Sequence, residues 1–364
     1  MKNTFILIAI NFAILCTLIV STEICSQLVY KAITGELFFG RNIKSKIFEI
    51  HPFLAGRPRS NIAIRQGNKS IRTTDLHTRW TGASQDDDKL IKIAILGGST
   101  AFGTRVSDEE SWPALLQEKL GKRFAVINYG VPGYSTAEAI IQMALVVPDK
   151  QPQIVIFYEG WNDIRNYHEK ELGADYYAHG MGLYGNLSIP MLKNNYSNSF
   201  ATIWLIDWII NAVKNPSESK DDIFSDPDPF VDKIYLRNLK TLRLLTDEIN
   251  AFGIFIPQVL NYSRFQSKEG ADGWSKHILN KSMPFLMERF NSHMEGLCAQ
   301  KNSNCVVLSE ITKQEWLPED FEDEGHLSKQ GGLKFSEVVL NLIRSKYGVS
   351  MADTSTNKQP LNVK

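Results

Sequence analysis

Three side chains in this 364-residue sequence are of the types that together cleave acyl bonds. Ser99 follows the apolar run Ile91–Leu96 and a pair of glycines, while Asp323 and His326 lie three residues apart near the carboxyl terminus. A serine hydroxyl becomes a nucleophile when a histidine accepts its proton, and an aspartate on the other ring nitrogen orients that histidine and stabilises its cation. These residue types suit nucleophilic catalysis, with Ser99 as the candidate nucleophile, His326 as the candidate base and Asp323 as its partner. The alternative for Asp323 and His326 is a pair on the protein surface without a catalytic role.

The turn that carries Ser99 has two other interpretations. In one, Ser99 is only the N-cap of the following helix, because serine is a favoured capping residue. In the other, the turn is a phosphate loop, but the glycines at 97, 98 and 103 fit neither G-x-G-x-x-G nor G-x-x-x-x-G-K-[ST]. A polar residue just past a buried strand also lies where open α/β sheets hold their ligands.

From residue 91 onward, apolar runs alternate with helix-like segments. The runs that predict strands are 91–96, 124–129, 154–158, 254–260 and 305–308. The segments that predict helices include 111–120, 137–147, 231–251 and 328–347. Because strands alternate with helices, the pattern predicts a parallel sheet that is covered by helices on both faces.

Four polar segments at the ends of these elements resemble the sequence blocks of the SGNH or GDSL hydrolase superfamily. In chain order they are Gly97–Thr100, Asn128–Gly133, Gly160–Asp163 and Asp323–His326. Gly98 stands where the family often has aspartate, and a leucine follows His326 where many members have proline. The resemblance extends from about residue 92 to residue 347, apart from an insertion at 164–229.

This resemblance implies a flavodoxin-like three-layer αβα sandwich with a five-stranded parallel sheet, and a serine esterase that uses no metal or cofactor. It also implies that the oxyanion hole consists of the backbone N–H groups of Ser99 and Gly133 and the side-chain amide of Asn162. The expected substrate is a short-chain ester, preferably an O-acetyl group on an envelope or secreted glycan. The alternatives are an O-acyltransferase with the same triad, a lipid esterase, and an inactive glycan-binding member of an export assembly.

The amino terminus has the composition of a membrane segment. Residues 5–20 are apolar apart from Asn11, and Lys2 precedes them. We interpret this segment as an uncleaved signal-anchor that leaves the rest of the chain on the exported side of the membrane. Secretion after signal cleavage and a buried amino-terminal helix are the alternatives. The formal net charge is zero, which argues against a nucleic-acid partner.

The predicted organisation has four parts. Residues 1–30 form the transmembrane segment, 31–90 a stalk with edge strands, 91–349 the hydrolase domain and 350–364 a disordered tail. Within the insertion, residues 200–213 predict a helix that is apolar nearly all round. Such a helix is expected to be buried against the main domain, to form a lid over the cleft, or to rest on the membrane surface.

The cysteines divide into two pairs by context. Cys16 and Cys25 lie in the apolar segment and are expected to be free thiols. Cys298 and Cys305 bracket a polar turn, and a disulfide can close this spacing in an exported protein. Two unrelated thiols are the alternative for the second pair.

Several aromatic residues lie near the sequence blocks. Phe102 and Trp161 are expected to narrow the acyl pocket, which would favour acetyl esters. Trp112, Trp161 and Tyr167 could stack on sugar rings, with packing in the core or under a lid as the alternative.

Overall fold

The computed structural model describes residues 2–34, 38, 47–49, 51, 53–54, 56–84, 89–169, 172–174, 200–214, 223–266, 277–300 and 303–347. The chain divides into two compact units. One unit comprises Met1–Ser45 and Ile189–Asp222, and the other comprises Lys46–Ser188 and Ile223–Lys364. The predicted tail at 350–364 lies outside the described residues, as do residues 175–199 and 215–222 of the insertion.

Two short antiparallel strand pairs precede the main sheet. Strand β1 (Phe48–Glu49) pairs with β2 (Arg57–Pro58), and β3 (Ala63–Gln66) pairs with β4 (Lys69–Arg72). In the segment that follows, Arg79 makes isolated antiparallel bridges to Thr73 and to Asn128.

Arg79 connects this segment to the loop after Ser99. Its side chain is fully buried, and its Nε lies 3.0 Å from Oδ1 of Asp108, which is also fully buried. The same guanidinium donates to the carbonyl oxygens of Phe102 and Val106, each at 2.8 Å. A buried guanidinium with a carboxylate and carbonyl acceptors around it fixes the surrounding backbone, here the loop that follows Ser99.

The main sheet has five parallel strands, as the sequence predicts. They are β5 (Ile91–Gly97), β6 (Phe124–Asn128), β7 (Ile154–Tyr158), β8 (Phe252–Phe255) and β9 (Cys305–Val307). Their order across the sheet is β6-β5-β7-β8-β9. Strand β8 begins two residues earlier than the apolar run suggests and ends before Pro257, which has no N–H group for the ladder.

Helices cover both faces of this sheet, which confirms the αβα arrangement. The α-helices among the described residues are α1 (Lys2–Thr34), α2 (Ser99–Phe102), α3 (Trp112–Leu120), α4 (Thr136–Leu145), α5 (Trp161–Ile164), α6 (Ala201–Lys214), α7 (Pro229–Glu248), α8 (Tyr262–Gln266), α9 (Met283–Ser292) and α10 (Lys329–Tyr347). Helices α3 and α10 pack on one face, and α4, α7 and α9 pack on the other. The side chains of β5 and β7 alternate between the two faces, so both strands are apolar along their length.

Side-chain caps set the start of two helices near the site. Helix α4 begins at Thr136 because the Ser135 hydroxyl accepts a hydrogen bond from the Ala137 N–H at 3.3 Å. Helix α7 begins at Pro229, since the preceding Asp228 carboxylate accepts from the N–H groups of Phe230 and Val231. The apolar pattern of the sequence predicted that α7 begins at residue 231, which is two residues too late.

The smaller unit contains α1 and α6. The segment Thr4–Ile33 of α1 is long and apolar enough to cross a membrane. Its most apolar part is not buried inside the protein. Cys16 and Cys25 of this helix are free and exposed. In the larger unit, the structure links Cys298 to Cys305 through a disulfide with a Cα–Cα distance of 5.4 Å.

Candidate active site

Ser99 lies at the point where the strand order of the sheet reverses. Strand β5 has β6 on one side and β7 on the other, so the connections after β5 and β7 diverge and leave a crevice at their carboxyl ends. Ser99 opens helix α2 just after β5, and Asn162 lies in α5 just after β7. The N-cap of α2 is Gly98, so the interpretation of Ser99 as a simple cap is wrong.

A chain of hydrogen bonds joins Ser99, His326 and Asp323. Ser99 Oγ lies 2.7 Å from His326 Nε2, and His326 Nδ1 lies 2.8 Å from each oxygen of Asp323. With the ring proton on Nδ1, the imidazole donates to the carboxylate and Nε2 can accept the serine proton. The three side chains therefore have the order and the distances that proton transfer from a serine to a histidine requires.

The loop Asp323–His326 holds its own carboxylate. Asp323 Oδ1 accepts from the backbone N–H groups of Gly325 and His326 at 3.1 and 2.9 Å, and Oδ2 lies 3.0 Å from Arg105 Nε. Burial alone would raise the pKa of Asp323, but the hydrogen bonds and charge of His326 and the backbone N–H groups hold it below its ordinary value. The carboxylate therefore remains ionised and fixes the imidazole.

Gly325 is the residue through which the loop Asp323–His326 contacts α5. A Cβ on Gly325 would lie 2.2 Å from the indole of Trp161, so only glycine fits between the ring and the loop. Trp161 precedes Asn162 directly. The position of the histidine loop is therefore coupled to the position of the Asn162 amide.

Asn162 and Gly133 are the predicted oxyanion donors that lie outside the Ser99 turn. Asn162 Nδ2 donates to the Tyr134 carbonyl oxygen at 2.7 Å, and an NH2 group carries a second hydrogen that can donate elsewhere. Gly133 has φ +85°, a left-handed conformation that favours glycine. Both residues line the same cavity as Ser99.

Asp163, to which the sequence assigned no role, connects the two donor loops. Its buried carboxylate accepts from the Thr136 N–H at 3.1 Å and from the Thr136 hydroxyl at 2.5 Å. Asn238 of α7 donates to the same hydroxyl at 2.9 Å. These bonds hold the start of α4, and with it the Gly133 turn, against α5. A polar residue directly after Asn162 was the only sequence signal for this contact.

The cavity at Ser99 has a volume of about 330 Å³. It brings together all five residues that the sequence predicted for the triad and the oxyanion hole. It is also lined by two arginines, Arg105 and Arg165, which sequence reasoning missed. The full lining is Ser99, Thr100, Thr104, Arg105, Pro132, Gly133, Trp161, Asn162, Arg165, Asp323, Glu324, Gly325 and His326.

Only one of the aromatic residues predicted for the pocket lines this cavity. Trp161 does, but Phe102 is 1% exposed and lies beneath the Arg79 guanidinium, so its predicted role as a pocket wall is wrong. Trp112 and Tyr167 are also buried, the first against Tyr158 and Phe335. Their alternative interpretation, packing in the core, is the one that the structure supports.

Gly98 has no space for a side chain. A Cβ at this position would lie 2.4 Å from Asn162 Nδ2 and 3.1 Å from the Tyr134 carbonyl oxygen. The Asn162 amide thus occupies the space into which a larger residue at 98 would point. A side chain at position 98 would therefore require the Asn162 amide to move.

Two buried glutamates, Glu138 and Glu159, lie near Asp163. Burial raises the pKa of Glu138 to about 7, and burial with the nearby charges of Asp163 and Glu138 raises the pKa of Glu159 well above its ordinary value. Glu159 Oε1 has no hydrogen-bond partner among the described residues. In the folded protein Glu159 is therefore protonated under conditions in which it is ionised in the unfolded chain.

We expect Glu159→Gln to make the stability less dependent on pH. Above the ordinary glutamate pKa of 4.5, the folded state holds a proton that the unfolded state releases, so the free energy of unfolding falls as pH rises. Glutamine carries no such proton. Thermal unfolding midpoints from about pH 5 to about pH 8 should fall less steeply in the variant than in the wild type. Equal slopes in the two proteins would show that Glu159 is ionised when folded.

Parts of the chain are similar to known proteins. Residues 95–215 match the model of the GDSL-like Lipase/Acylhydrolase family, a range that includes Ser99, Gly133 and Asn162. The Escherichia coli (strain K12) protein named thioesterase 1/protease 1/lysophospholipase L1 is 31% identical over 71 residues, which are 20% of this chain and 34% of that protein. An arylesterase of Vibrio mimicus is 31% identical over 86 residues, 23% of this chain and 42% of its own.

The matches thus span less than half the length of these curated relatives. Among solved structures, a mutant of an acetyl-xylooligosaccharide esterase from Geobacillus aligns with a TM-score of 0.41 at 15% identity, over 69% of this chain and 93% of that one. The similarity to the GDSL-like Lipase/Acylhydrolase family is thus shown for residues 95–215.

Proposed function

We propose that this protein is a serine esterase in which Ser99 is the nucleophile, His326 the general base and Asp323 the residue that orients the base. The observation that carries the proposal is the hydrogen-bond chain from Ser99 through His326 to Asp323, with distances of 2.7 and 2.8 Å. The three hydrogen-bonded side chains border a cavity that can admit a substrate.

The reaction begins when Ser99 Oγ attacks the ester carbonyl and its proton passes to His326 Nε2. The carbonyl oxygen becomes an oxyanion, which accepts hydrogen bonds from the N–H groups of Ser99 and Gly133 and from the Asn162 amide. The protonated histidine then gives its proton to the departing alcohol, leaving an acyl group on Ser99. A water molecule, deprotonated by His326, attacks this acyl-enzyme and releases the acid.

We expect Gly98→Ala to lower kcat on the order of a hundredfold, because the added methyl group displaces the Asn162 amide from the oxyanion. The matched control is Gly67→Ala, where a Cβ meets no atom within 4 Å but the backbone has φ +64°. The control should lose some stability and keep its kcat. Unchanged kcat in Gly98→Ala would show that the Asn162 amide does not contact the oxyanion.

We infer that the acyl group is short and that the alcohol is a hydrophilic one, with an O-acetylated glycan as the preferred class. The surface that faces the cavity is mainly apolar, and it includes the Trp161 ring. Thr104, Arg105, Arg165 and Glu324 add hydrogen-bonding groups to the same lining. An aromatic ring beside hydrogen-bonding side chains supports binding of a sugar, because the ring can stack on the sugar while these side chains bond its hydroxyl groups.

Chain-length preference tests both the activity and the substrate class. Each additional buried methylene contributes about 0.8 kcal/mol in an apolar channel, so a lipid esterase should prefer longer chains. We expect the reverse: kcat/KM should be highest with p-nitrophenyl acetate and lower with the butyrate and octanoate esters. Preference for octanoate would replace the glycan proposal with a lipid esterase. Absence of turnover with all three would argue against esterase activity.

We further propose that α1 remains attached as a membrane anchor and that the larger unit lies on the exported side. Lys2 at the start of the apolar helix supports an amino terminus in the cytoplasm, and the Cys298–Cys305 disulfide is of a kind that persists in oxidising compartments. Mass spectrometry of the protein extracted from membranes should detect a peptide that begins at or next to Met1. A mature start near Ser21 would indicate a cleaved signal sequence.

A further inference from the structure

One acidic side chain of α1 caps another helix of the smaller unit. Glu23 is the first charged residue after Lys2, with an uncharged stretch between them. Its carboxylate accepts from the Ala201 N–H at 2.8 Å, and from the N–H and the hydroxyl of Thr202 at 3.0 and 2.8 Å. A carboxylate at a helix N-terminus satisfies unpaired N–H groups and interacts favourably with the helix dipole. Glu23 therefore joins the start of α6 to α1.

The position of Glu23 along α1 corresponds to the thickness of a bilayer. At about 1.5 Å per residue, the helix from Phe5 to Glu23 is about 27 Å long. The hydrocarbon core of a bilayer is about 30 Å thick. If Lys2 and Phe5 lie at one surface, Glu23 reaches the boundary between lipid tails and headgroups at the other. The first turn of α6 then lies at the same depth.

Helix α6 also contacts α1 through aromatic rings and leaves an apolar face exposed. The Trp204 ring packs edge-on against Tyr30 of α1 at 4.6 Å and stacks with Trp208 at 6.4 Å. Among the side chains of α6 that the structure describes, the large apolar ones that are exposed are Ile206, Trp208, Ile209 and Ile210, at 41–50%. Tryptophan rings of this kind are enriched where membrane meets water.

We propose that α6 lies in the boundary region of the bilayer that α1 crosses, with this apolar face in contact with lipid. The proposal rests on membrane anchoring by α1, not on the esterase chemistry. The bilayer is the occupant that the structure favours, because the exposed face of α6 adjoins a helix whose own surface is apolar and exposed. Ile24 and Leu28, exposed apolar side chains of α1, follow Glu23 within about 8 Å along the helix, a distance close to the thickness of the headgroup layer.

A fluorescent probe at single positions of the full-length protein tests this. Cys16→Ser and Cys25→Ser remove the free thiols, and Cys298 and Cys305 are paired in the disulfide. Ile209→Cys then accepts a nitrobenzoxadiazole label on the exposed face of α6. Ile14→Cys places the label in the membrane-spanning part of α1, and Leu244→Cys places it on an exposed position of α7. Each labelled protein is reconstituted into phosphatidylcholine–phosphatidylglycerol vesicles that contain lipids with nitroxide quenchers at the headgroup or deep in the acyl chain.

We expect the probe at position 209 to lose most of its fluorescence with the headgroup quencher and less with the deep quencher. The probe at position 14 should show the opposite order, and the probe at position 244 should respond to neither. Adding Glu23→Ala should reduce quenching at position 209 and leave position 14 unchanged, since the variant removes the cap that holds α6 at this depth.

Other results would overturn the proposal, and they are distinguishable. A blue-shifted probe at position 209 that no lipid quencher reaches would show that protein covers this face, either the larger unit or a second copy of the chain. Emission typical of water at position 209, with normal quenching at position 14, would show an exposed helix on a working anchor. Loss of quenching at both positions would overturn the anchor as well, while leaving the esterase proposal intact.

Discussion

Ser99→Ala is expected to reduce kcat for p-nitrophenyl acetate by at least about a thousandfold. The Ser99 hydroxyl is the nucleophile in the proposed mechanism, and alanine has no atom that can form the acyl-enzyme. The donors of the oxyanion hole survive, because the N–H of residue 99 belongs to the backbone and the Asn162 amide is held by the Tyr134 carbonyl. A small residual rate is therefore expected, with the melting temperature little changed.

Covalent labelling gives an independent measurement. A fluorophosphonate probe should modify wild-type protein at Ser99 alone and should not modify Ser99→Ala. The matched control is Ser345→Ala, which removes an exposed hydroxyl on α10 that is bonded to the Leu342 carbonyl. This control should retain full activity and labelling. Modification of another serine, or full activity without the Ser99 hydroxyl, would contradict the assignment of the nucleophile.

Asp323→Asn is expected to reduce kcat on the order of 10⁴-fold, the effect typical of such a change in a triad. The Asp323 carboxylate accepts from the His326 ring and from the backbone N–H groups of Gly325 and His326. An asparagine has only one oxygen, so its NH2 group must face one of these donors or the ring. The imidazole then adopts the wrong tautomer or turns away from Ser99, and its cation loses a stabilising charge.

The reduction should appear in kcat, with KM and thermal stability changed much less, because Asp323 acts on the base rather than on the bound ester. Glu322→Gln is the matched control: it removes an exposed carboxylate from the adjacent position of the same loop. It should leave kcat unchanged. If Asp323→Asn retained wild-type kcat, another carboxylate would have to orient His326.

The sequence by itself determined the fold class and predicted the residues of the candidate site. Apolar strands alternate with amphipathic helices from residue 91 onward, and such periodicity predicts a covered parallel sheet because it reports which faces are buried. The site residues follow strand ends or precede the last helix. In a parallel sheet the carboxyl ends of all strands lie on the same side, so chain order predicts that Ser99 and Asn162 converge. The resemblance to the SGNH or GDSL superfamily adds His326 to them.

The tertiary structure decided which neighbouring residues line the cavity and which pack in the core. Phe102 and Trp161 both lie next to a sequence block, yet the first is buried beneath Arg79 and the second lines the cavity. Nothing in local spacing separates them, because burial depends on partners that are distant in the chain. A sequence pattern indicates the periodicity of one segment. Whether a single aromatic ring is buried depends on which other segment packs against it.

The same distinction applies to single polar residues. Glu23 interrupts an apolar helix, and Gly98 departs from the family pattern, so each looks like an irregularity in the sequence. In the structure Glu23 caps α6, and Gly98 leaves room for the Asn162 amide. Asp163 likewise holds Thr136, 27 residues earlier in the chain. Hydrogen bonds and close contacts of this kind depend on distances within a few tenths of an ångström, which only the packed chain determines.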